Sequence, residues 1–365
     1  MKTVLKQTLL ASVIAAGTAG TATADTEMVV VSWGGAYTAS QQGAYHQPYM
    51  DANPGITIVN DDSAGTAVAK IRAMNEAGKM DWHLVDAVAS DAMRLCDEGL
   101  AEVIDHDTEL AAAPDGTLPS VDFGDLIVSE CFIPQIVYST TFGYRTDLVG
   151  DNAPTTIADV FDLAKIPGKR ALEKKPIGNL EWALIADGVA AADVYDVLDS
   201  DGGVDRALAK LDTIKDSVVW WESGSQTPQL LADGEVVMGS TYNGRLFALI
   251  EEEKQPVAMM WDWQVFDLDG WIIPKGAPDM AEVKKFVKFA TDTQRLADQA
   301  SFISYGPTRA SSAPLVGKHA TLGIDMAPHM PTDPANAKNT LLFNYEWWAD
   351  NRDDMDERFN AWLAK

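Results

Sequence analysis

Short apolar runs alternate with amphipathic stretches along the first third of the chain. A β-branched run at 28–31 predicts a strand that ends at a Trp-Gly-Gly turn. The pattern that follows predicts a helix over 37–49, a strand over 56–59, a helix over 64–75 and a strand over 82–85. Such alternation is typical of α/β folds with a parallel, doubly wound sheet. A ligand would then bind beyond the carboxyl ends of the strands, where Trp33, Ser90 and Asp91 are expected.

The alternation continues in the second half of the chain. It predicts helices over 180–191, 204–214, 282–290 and 353–363, and strands over 236–239, 257–260 and 271–273. In the third of these helices, Val283, Phe286, Val287 and Ala290 share one face that can pack on a sheet. Neither a Gly/Ser tether nor a Pro-rich spacer separates the halves. We therefore expect two lobes that are joined by short extended crossings.

The first 24 residues have the pattern of a secretory signal peptide. Lys2 and Lys6 precede a short apolar stretch, and Ala22-Thr23-Ala24 fits a cleavage site. The sequence thus predicts a protein exported to the periplasm. In that oxidising compartment Cys96 and Cys131 are expected to form a disulfide, and two separately buried thiols are the alternative.

The charge of the chain is strongly one-sided. It has 54 Asp and Glu against 28 Lys and Arg, a formal net charge of −26. Such a surface repels phosphate, so nucleic acid and anionic membranes are not expected as partners, whereas cations are favoured. Adaptation to a saline habitat is the alternative explanation of the acidity.

Sequence patterns typical of catalysis and metal binding are missing. The sequence has no GxSxG, Walker A or GxGxxG motif, and its five histidines lack the spacing of a metal site. We therefore expect no enzymatic activity, no cofactor and no bound metal. A secreted hydrolase with two catalytic carboxylates is the alternative, because some pair among so many acids will lie close together.

Aromatic and acidic residues occur together in loops beside predicted strands. Core packing is the alternative for any one of these aromatic residues. Together they predict a site for an organic cation, since aromatic rings attract ammonium groups and carboxylates accept their hydrogens. The set consists of Trp33, Tyr37, Tyr242, Trp261, Trp263, Asp267, Asp269, Tyr305 and Glu346.

Five short motifs resemble those of bacterial solute-binding proteins of ABC importers, in particular the spermidine/putrescine-binding family. The likeness extends through nearly all of the chain after residue 24. The motifs are Val31-Ser32-Trp33-Gly34-Gly35-Ala36-Tyr37, Asp97-Glu98-Gly99-Leu100, Asp233-Gly234-Glu235-Val236 with Tyr242-Asn243-Gly244, Asp267-Leu268-Asp269-Gly270 with Trp271-Ile272-Ile273-Pro274, and Tyr305-Gly306-Pro307-Thr308.

The resemblance implies a type II-like periplasmic binding protein fold with a ligand cleft between two lobes. Lobe 1 would comprise 25–143 and 270–308, and lobe 2 would comprise 144–269 and 309–365. A monomer would capture spermidine or putrescine and deliver it to a membrane permease and its ATPase. By motif, the resemblance places Trp33, Tyr37, Tyr242, Asp269 and Tyr305 in the site, with Glu181 as the best substitute for the mid-chain acids of the family.

Two departures from the family leave the particular ligand open. Tyr242 stands where polyamine binders usually have Trp, and Asp267 replaces an aromatic residue. Another small amine, an amino acid derivative or a chelated metal are the alternative ligands.

Overall fold

The computed structural model describes residues 26–365, so the signal peptide predicted over 1–24 lies outside the described residues. The strands are β1 (Thr26–Val31), β2 (Ile56–Asp61), β3 (Leu84–Val88), β4 (Ile133–Arg145), β5 (Arg170–Glu173), β6 (Val218–Trp221), β7 (Met238–Tyr242), β8 (Val257–Ile272), β9 (Gly306–Pro307) and β10 (Thr340–Leu342). The helices are α1 (Gly35–Gln41), α2 (Gln47–Ala52), α3 (Ala67–Glu76), α4 (Ala89–Asp97), α5 (His106–Glu109), α6 (Pro119–Phe123), α7 (Thr146–Val149), α8 (Ile157–Phe161), α9 (Asn179–Ala186), α10 (Val194–Asp199), α11 (Gly203–Asp212), α12 (Gln226–Ala232), α13 (Asn243–Phe247), α14 (Met280–Ala290), α15 (Thr293–Gln299) and α16 (Tyr345–Leu363).

The strands form one mixed sheet in the order β2-β1-β3-β8-β4-β7-β5-β6, with β10 beside β8 and β9 beside β4. At one end β1 pairs in parallel with β2 and β3, and at the other β5 pairs in parallel with β6 and β7. Between these two parallel groups β8 is antiparallel to both β3 and β4. The α/β fold with two lobes is confirmed, and its parallel groups are the doubly wound units that the sequence predicts.

The long strands β4 and β8 connect the two lobes. They pair from Ile133 with Trp271 at one end to Arg145 with Val257 at the other. Lobe 1 attaches through β3, in which Val88 is opposite Asp269, and lobe 2 attaches through β7. The strands predicted over 257–260 and 271–273 are the two ends of β8, because the polar residues between them interrupt the apolar pattern without ending the strand.

Each lobe has its own hydrophobic core. In lobe 1, Val30, Trp271 and Phe286 belong to one of the buried clusters around β1 to β3. In lobe 2, helices α9 to α11 and α16 bury residues such as Trp182 and Trp348 against the sheet. This separation of apolar cores on either side of β4 and β8 leaves a polar boundary at which a ligand can bind.

The last helix begins earlier than the sequence predicts. Asn344 caps α16 by accepting a hydrogen bond from the backbone N–H of Trp347 at 2.9 Å, so the helix starts at Tyr345 instead of near 353. Trp347 and Trp348, which precede the predicted start of the helix, are consequently buried on it.

Cys96 and Cys131 form a disulfide, as the sequence predicts. The bond joins the end of α4 to the segment that leads into β4, and the Cys131 side chain is buried. It therefore fixes α4, whose first residues follow directly from β3, to the strand that crosses between the lobes.

Candidate ligand-binding site

A cavity of about 370 Å³ lies where the two lobes meet. Its walls come from the residues at or just after the carboxyl ends of β1, β2, β3, β5, β6 and β7, which is the position expected for a ligand in such a sheet. The lining comprises Trp33, Tyr37, Asp62, Ser63, Gly65, Thr66, Val88, Ile136, Tyr138, Glu173, Lys175, Glu222, Ser223, Gly224, Tyr242, Arg245, Asp269 and Tyr305.

Asp269 is the most deeply placed acid of this cavity, with 2% of its surface exposed. The indole Nε1 of Trp33 donates to its Oδ2 at 2.8 Å, and the Tyr37 hydroxyl lies 2.7 Å from its Oδ1. Both partners are neutral and fix the carboxyl in one orientation. Asp269 is therefore a pre-oriented acceptor for a cationic group.

Burial raises the pKa of Asp269 well above its usual range, and the nearby Asp86 raises it further. The bonds from Tyr37 and Trp33 oppose this shift. Asp86 on β3 is fully buried, and burial also raises its pKa, although Gln41 donates to both of its oxygens at 3.0 Å. A cation at Asp269 would compensate this unfavourable burial of charge.

Aromatic rings form much of the cavity wall. The Tyr37 and Tyr305 ring centroids are 5.9 Å apart, and Tyr138 packs edge-on against Tyr242 at 5.5 Å. Trp33, Tyr37, Tyr242 and Tyr305 all line the cavity, as expected from the sequence. Rings that are packed against one another in this way present their faces and edges to a ligand at little cost in conformational entropy.

Arg245 brings a positive charge to the same cavity. Its Nη2 donates to the backbone carbonyls of Trp33 at 3.3 Å and Gly34 at 3.5 Å, so a lobe 2 side chain reaches across to lobe 1. Its buried Nε has no hydrogen-bond partner among residues 26–365. A buried guanidinium N–H without a partner is suited to donate a hydrogen bond to an anionic oxygen of a ligand.

The other charged residues of the lining have partners within the protein. Lys175 pairs with Glu173 at 3.0 Å, and Glu222 pairs with Lys174 at 2.7 Å. Asp62 accepts a hydrogen bond from Thr38 at 2.7 Å. Among the buried charged groups of the lining, the Asp269 carboxyl is bound by neutral groups alone and the Arg245 Nε is unbound.

Seven residues that the sequence assigned to the site lie outside the lining of this cavity, among them Trp261 and Trp263 of β8. Asp267 is two residues from Asp269 along β8, roughly 7 Å away, and it accepts a hydrogen bond from the Tyr138 hydroxyl at 2.6 Å. Burial raises its pKa to about 7. Glu181 is buried in the lobe 2 core, where Trp348 Nε1 donates to it at 2.8 Å.

The remaining three lie on helices. Ser90 is buried near the start of α4. Burial lowers the pKa of Arg352, but the charge of Asp91, next to Ser90, helps to raise that pKa above its ordinary value. Glu346 is exposed at the start of α16 and lines a separate cavity of about 740 Å³. Position just after a predicted strand does not distinguish a residue in the first turn of a helix from one whose side chain faces the cleft.

Several residues of the cavity were not recognised from the sequence. Tyr138 and Ile136 lie on β4, a strand that was not predicted. Arg245 directly follows the Tyr242-Asn243-Gly244 motif, but a site predicted for a cation has no role for a positive residue. Asp86, a buried neighbour of Asp269 that is not part of the lining, carries no sequence signal beyond being an acid in an apolar strand.

No group of three His, Cys, Asp or Glu side chains among residues 26–365 is arranged to hold a metal ion. No described helix is both long and apolar enough to cross a membrane.

The chain belongs to the bacterial extracellular solute-binding protein family, whose pattern matches residues 44–332. A two-lobed fold with a ligand-sized cavity between the lobes agrees with this membership. The protein is thus the substrate-binding component of an ABC transporter, as the sequence predicted. The narrower spermidine/putrescine-binding group stays a prediction.

Three relatives give more detail. The chain is 35% identical over 338 residues to a gamma-aminobutyric acid (GABA)-binding protein of Pseudomonas aeruginosa, covering 93% of this chain and 91% of the relative. A solved structure described as a GABA receptor is 32% identical with a TM-score of 0.78, covering 93% and 98% of the two chains. The binding protein MotA of A. tumefaciens B6 in complex with glucopine is 28% identical with a TM-score of 0.82, covering 93% and 100%.

Proposed function

We propose that this protein captures a small amino acid whose amino group and carboxylate are separated by a short carbon chain, as in GABA, and delivers it from the periplasm to its permease without chemical change. The ammonium group would bind Asp269 against the rings of Trp33 and Tyr37. The carboxylate would bind Arg245. The observation that carries this proposal is the unpartnered Nε of Arg245 in the same cavity as a buried carboxyl.

Charge balance supports an amino acid over a polyamine. A ligand with only ammonium groups would leave Arg245 facing a like charge, which disfavours binding. An amino acid neutralises both ends of the site. The two GABA-binding relatives, at 35% and 32% identity, support the same class of ligand.

A polyamine is the second candidate. The lining has four acids, Asp62, Glu173, Glu222 and Asp269, against the two bases Lys175 and Arg245. This excess of carboxylates favours a cation. Because Lys175 and Lys174 already pair with two of the acids, the excess available to a ligand is smaller than this comparison suggests.

A thermal-shift and titration series tests the proposal. Glycine, β-alanine, GABA, 5-aminovalerate, putrescine and spermidine vary the spacing and the sign of the terminal groups. A ligand at 100 times its dissociation constant should add roughly 2.7 kcal/mol to the free energy of unfolding. We expect one of the amino acids to stabilise the protein most, and stabilisation by the polyamines alone would contradict the proposal.

Arg245→Gln separates the two candidates directly. It should weaken amino acid binding by roughly 2 to 5 kcal/mol, since it leaves the ligand carboxylate without a cation. Binding of putrescine should stay the same or strengthen. Arg206→Gln is the matched control, because Arg206 pairs with Asp187 on the surface of lobe 2 and does not line the cavity.

A further inference from the structure

Four tyrosines line the ligand cavity, and their hydroxyl groups are used differently. The hydroxyls of Tyr37 and Tyr138 each contact a buried aspartate, at 2.7 and 2.6 Å respectively. The hydroxyls of Tyr242 and Tyr305 make no hydrogen bond within the described part of the chain, and neither oxygen is completely enclosed by protein atoms. A ligand in the cavity can therefore reach both of these hydroxyls. Because only 3% of Tyr305 is exposed, its hydroxyl gains most from such a partner.

Tyr242 lies directly beside Arg245. The guanidinium carbon Cζ is 6.0 Å from the centre of the Tyr242 ring. A Cβ atom added at Gly224 would lie 2.7 Å from Nε of Arg245 and 2.7 Å from Cε2 of Tyr242, the ring carbon next to the one that carries the hydroxyl. The edge of the Tyr242 ring and the unpartnered Nε thus flank the same small space above a glycine.

Tyr305, which directly precedes β9, approaches the same end of the cavity. Its ring packs on Gly244, the residue before Arg245, where an added Cβ atom would lie 2.7 Å from Cε1 and from Cζ, the carbon that carries the hydroxyl. Tyr138 packs edge-on against both rings, with centroids 5.5 Å from Tyr242 and 6.1 Å from Tyr305. Both hydroxyls are therefore held near the guanidinium by packing and not by hydrogen bonds of their own.

This end of the cavity offers hydrogen-bond donors to a ligand. Burial raises the pKa of both Tyr242 and Tyr305 above its ordinary value, so both keep their hydrogens at neutral pH. The positive charge of Arg245 repels an ammonium group from this end and attracts an anion. A carboxylate has two oxygens with about four lone-pair directions, so it can accept from the guanidinium and from both hydroxyls at once.

We propose that the hydroxyls of Tyr242 and Tyr305 donate to the ligand's carboxylate together with Arg245 and make the site specific for a carboxylate over an amide or an amine. An amide of the same shape would bring its own N–H donors against these three donors, which disfavours its binding. This inference rests on the proposed function, because it takes the carboxylate to be bound at Arg245. It adds that two neutral hydroxyls, and not the guanidinium alone, determine which end group the site accepts.

Titration of Tyr242→Phe and Tyr305→Phe tests the role of the hydroxyls, because each variant keeps its ring and the packing around it. With GABA as the probe, each variant should bind about 10- to 150-fold more weakly, which is the usual effect of losing a hydrogen bond to a charged group. The affinity for 4-aminobutanamide, the neutral amide of GABA, should change much less. Tyr345→Phe is the matched control and should bind GABA like the wild type, since the Tyr345 hydroxyl also makes no hydrogen bond among residues 26–365 but lines two other cavities.

The unfolding midpoint of the ligand-free variants separates specificity from a structural role. Neither Tyr→Phe change should lower this midpoint, because the hydroxyl that it removes has no partner in the protein. GABA affinities within twofold of the wild type in both variants would overturn the inference and leave the proposed function intact. Equal losses for GABA and its amide, or a lowered midpoint, would assign the hydroxyls a structural role and also overturn it. If neither GABA nor another amino acid of the series binds the wild type, the proposed function fails and this inference fails with it.

Discussion

Replacement of Asp269 by Asn is the most informative single change in the site. Asn has nearly the same shape as Asp, so its amide oxygen can accept from Trp33 and its amide nitrogen can donate to the Tyr37 oxygen. The fold should therefore tolerate the change. Unlike Asp269, the Asn side chain cannot ionise to pair with the ammonium group of a ligand.

The size of the effect follows from the burial of this carboxyl. With 2% of its surface exposed, Asp269 would make an ion pair that solvent screens weakly. Loss of one member of such a pair weakens binding by roughly 2 to 5 kcal/mol, or about 30- to 5,000-fold in dissociation constant. Because burial raises the pKa of Asp269, protonation of the empty site competes with the ligand, so the difference between the two proteins should be larger at pH 8 than at pH 6.

Isothermal titration at both pH values checks this prediction, with the ligand that stabilises the wild type most in the thermal-shift series. Circular dichroism and the unfolding midpoint establish that the variant is folded. An affinity within threefold of the wild type at pH 8 would remove Asp269 from the binding site. A difference that is the same at pH 6 and pH 8 would contradict the coupling to a proton.

Three further predictions concern the walls, the lobe 2 core and the disulfide. Trp33→Ala and Tyr242→Ala should each weaken ligand binding by roughly 1 to 2 kcal/mol in titration, whereas a large loss of stability with normal binding would indicate core packing instead. Burial raises the pKa of Glu181 from 4.5 to about 7, so the folded protein holds this proton more tightly than the unfolded chain does. The resulting contribution to the free energy of unfolding is fully present below pH 4.5, and about 3 kcal/mol of it is lost as pH rises from 4.5 through 7. Glu181→Gln should abolish that part of the pH dependence in denaturant unfolding, and an unchanged profile would count against it. Reduction of the Cys96–Cys131 bond should lower the free energy of unfolding by on the order of 3 to 4 kcal/mol, and thiol counting on the denatured, unreduced protein should find no free thiols.

The sequence predicted the outer parts of the sheet better than its centre. Strands β1 and β2 and helix α3 have clear apolar runs and turn signals, and their bounds agree with the structure within a few residues. β4 was missed because Pro134 and a Ser-Thr-Thr run interrupt its apolar pattern. The Thr141 hydroxyl of this run donates to the Met260 carbonyl in a tertiary hydrogen bond, and sequence alone does not show such bonds.

The sequence indicated the aromatic residues of the cavity but not its positive residue. Trp33, Tyr37, Tyr242, Asp269 and Tyr305 all line one cavity, because glycine-containing turns at strand ends direct them there. Arg245 was not assigned because an acidic chain suggested a cationic ligand. Whether a charged residue is paired or unpaired decides its role, and pairing depends on distances that only the folded chain defines.

The position of Arg245 depends on two glycines, one from each lobe. A Cβ atom at Gly224 would lie 2.7 Å from Nε of Arg245 and 2.7 Å from the Tyr242 ring, and one at Gly35 would lie 3.1 Å from Nη1. Gly224→Ala should therefore displace the guanidinium and weaken amino acid binding by on the order of 1 to 3 kcal/mol, about 5- to 150-fold. Gly65→Ala is the matched control, because Gly65 also lines the cavity and an added Cβ there would contact nothing within 4 Å. Titration of both variants separates loss of the arginine contact from a general effect of filling the cavity, and equal losses would show that Arg245 is not the group that holds the ligand.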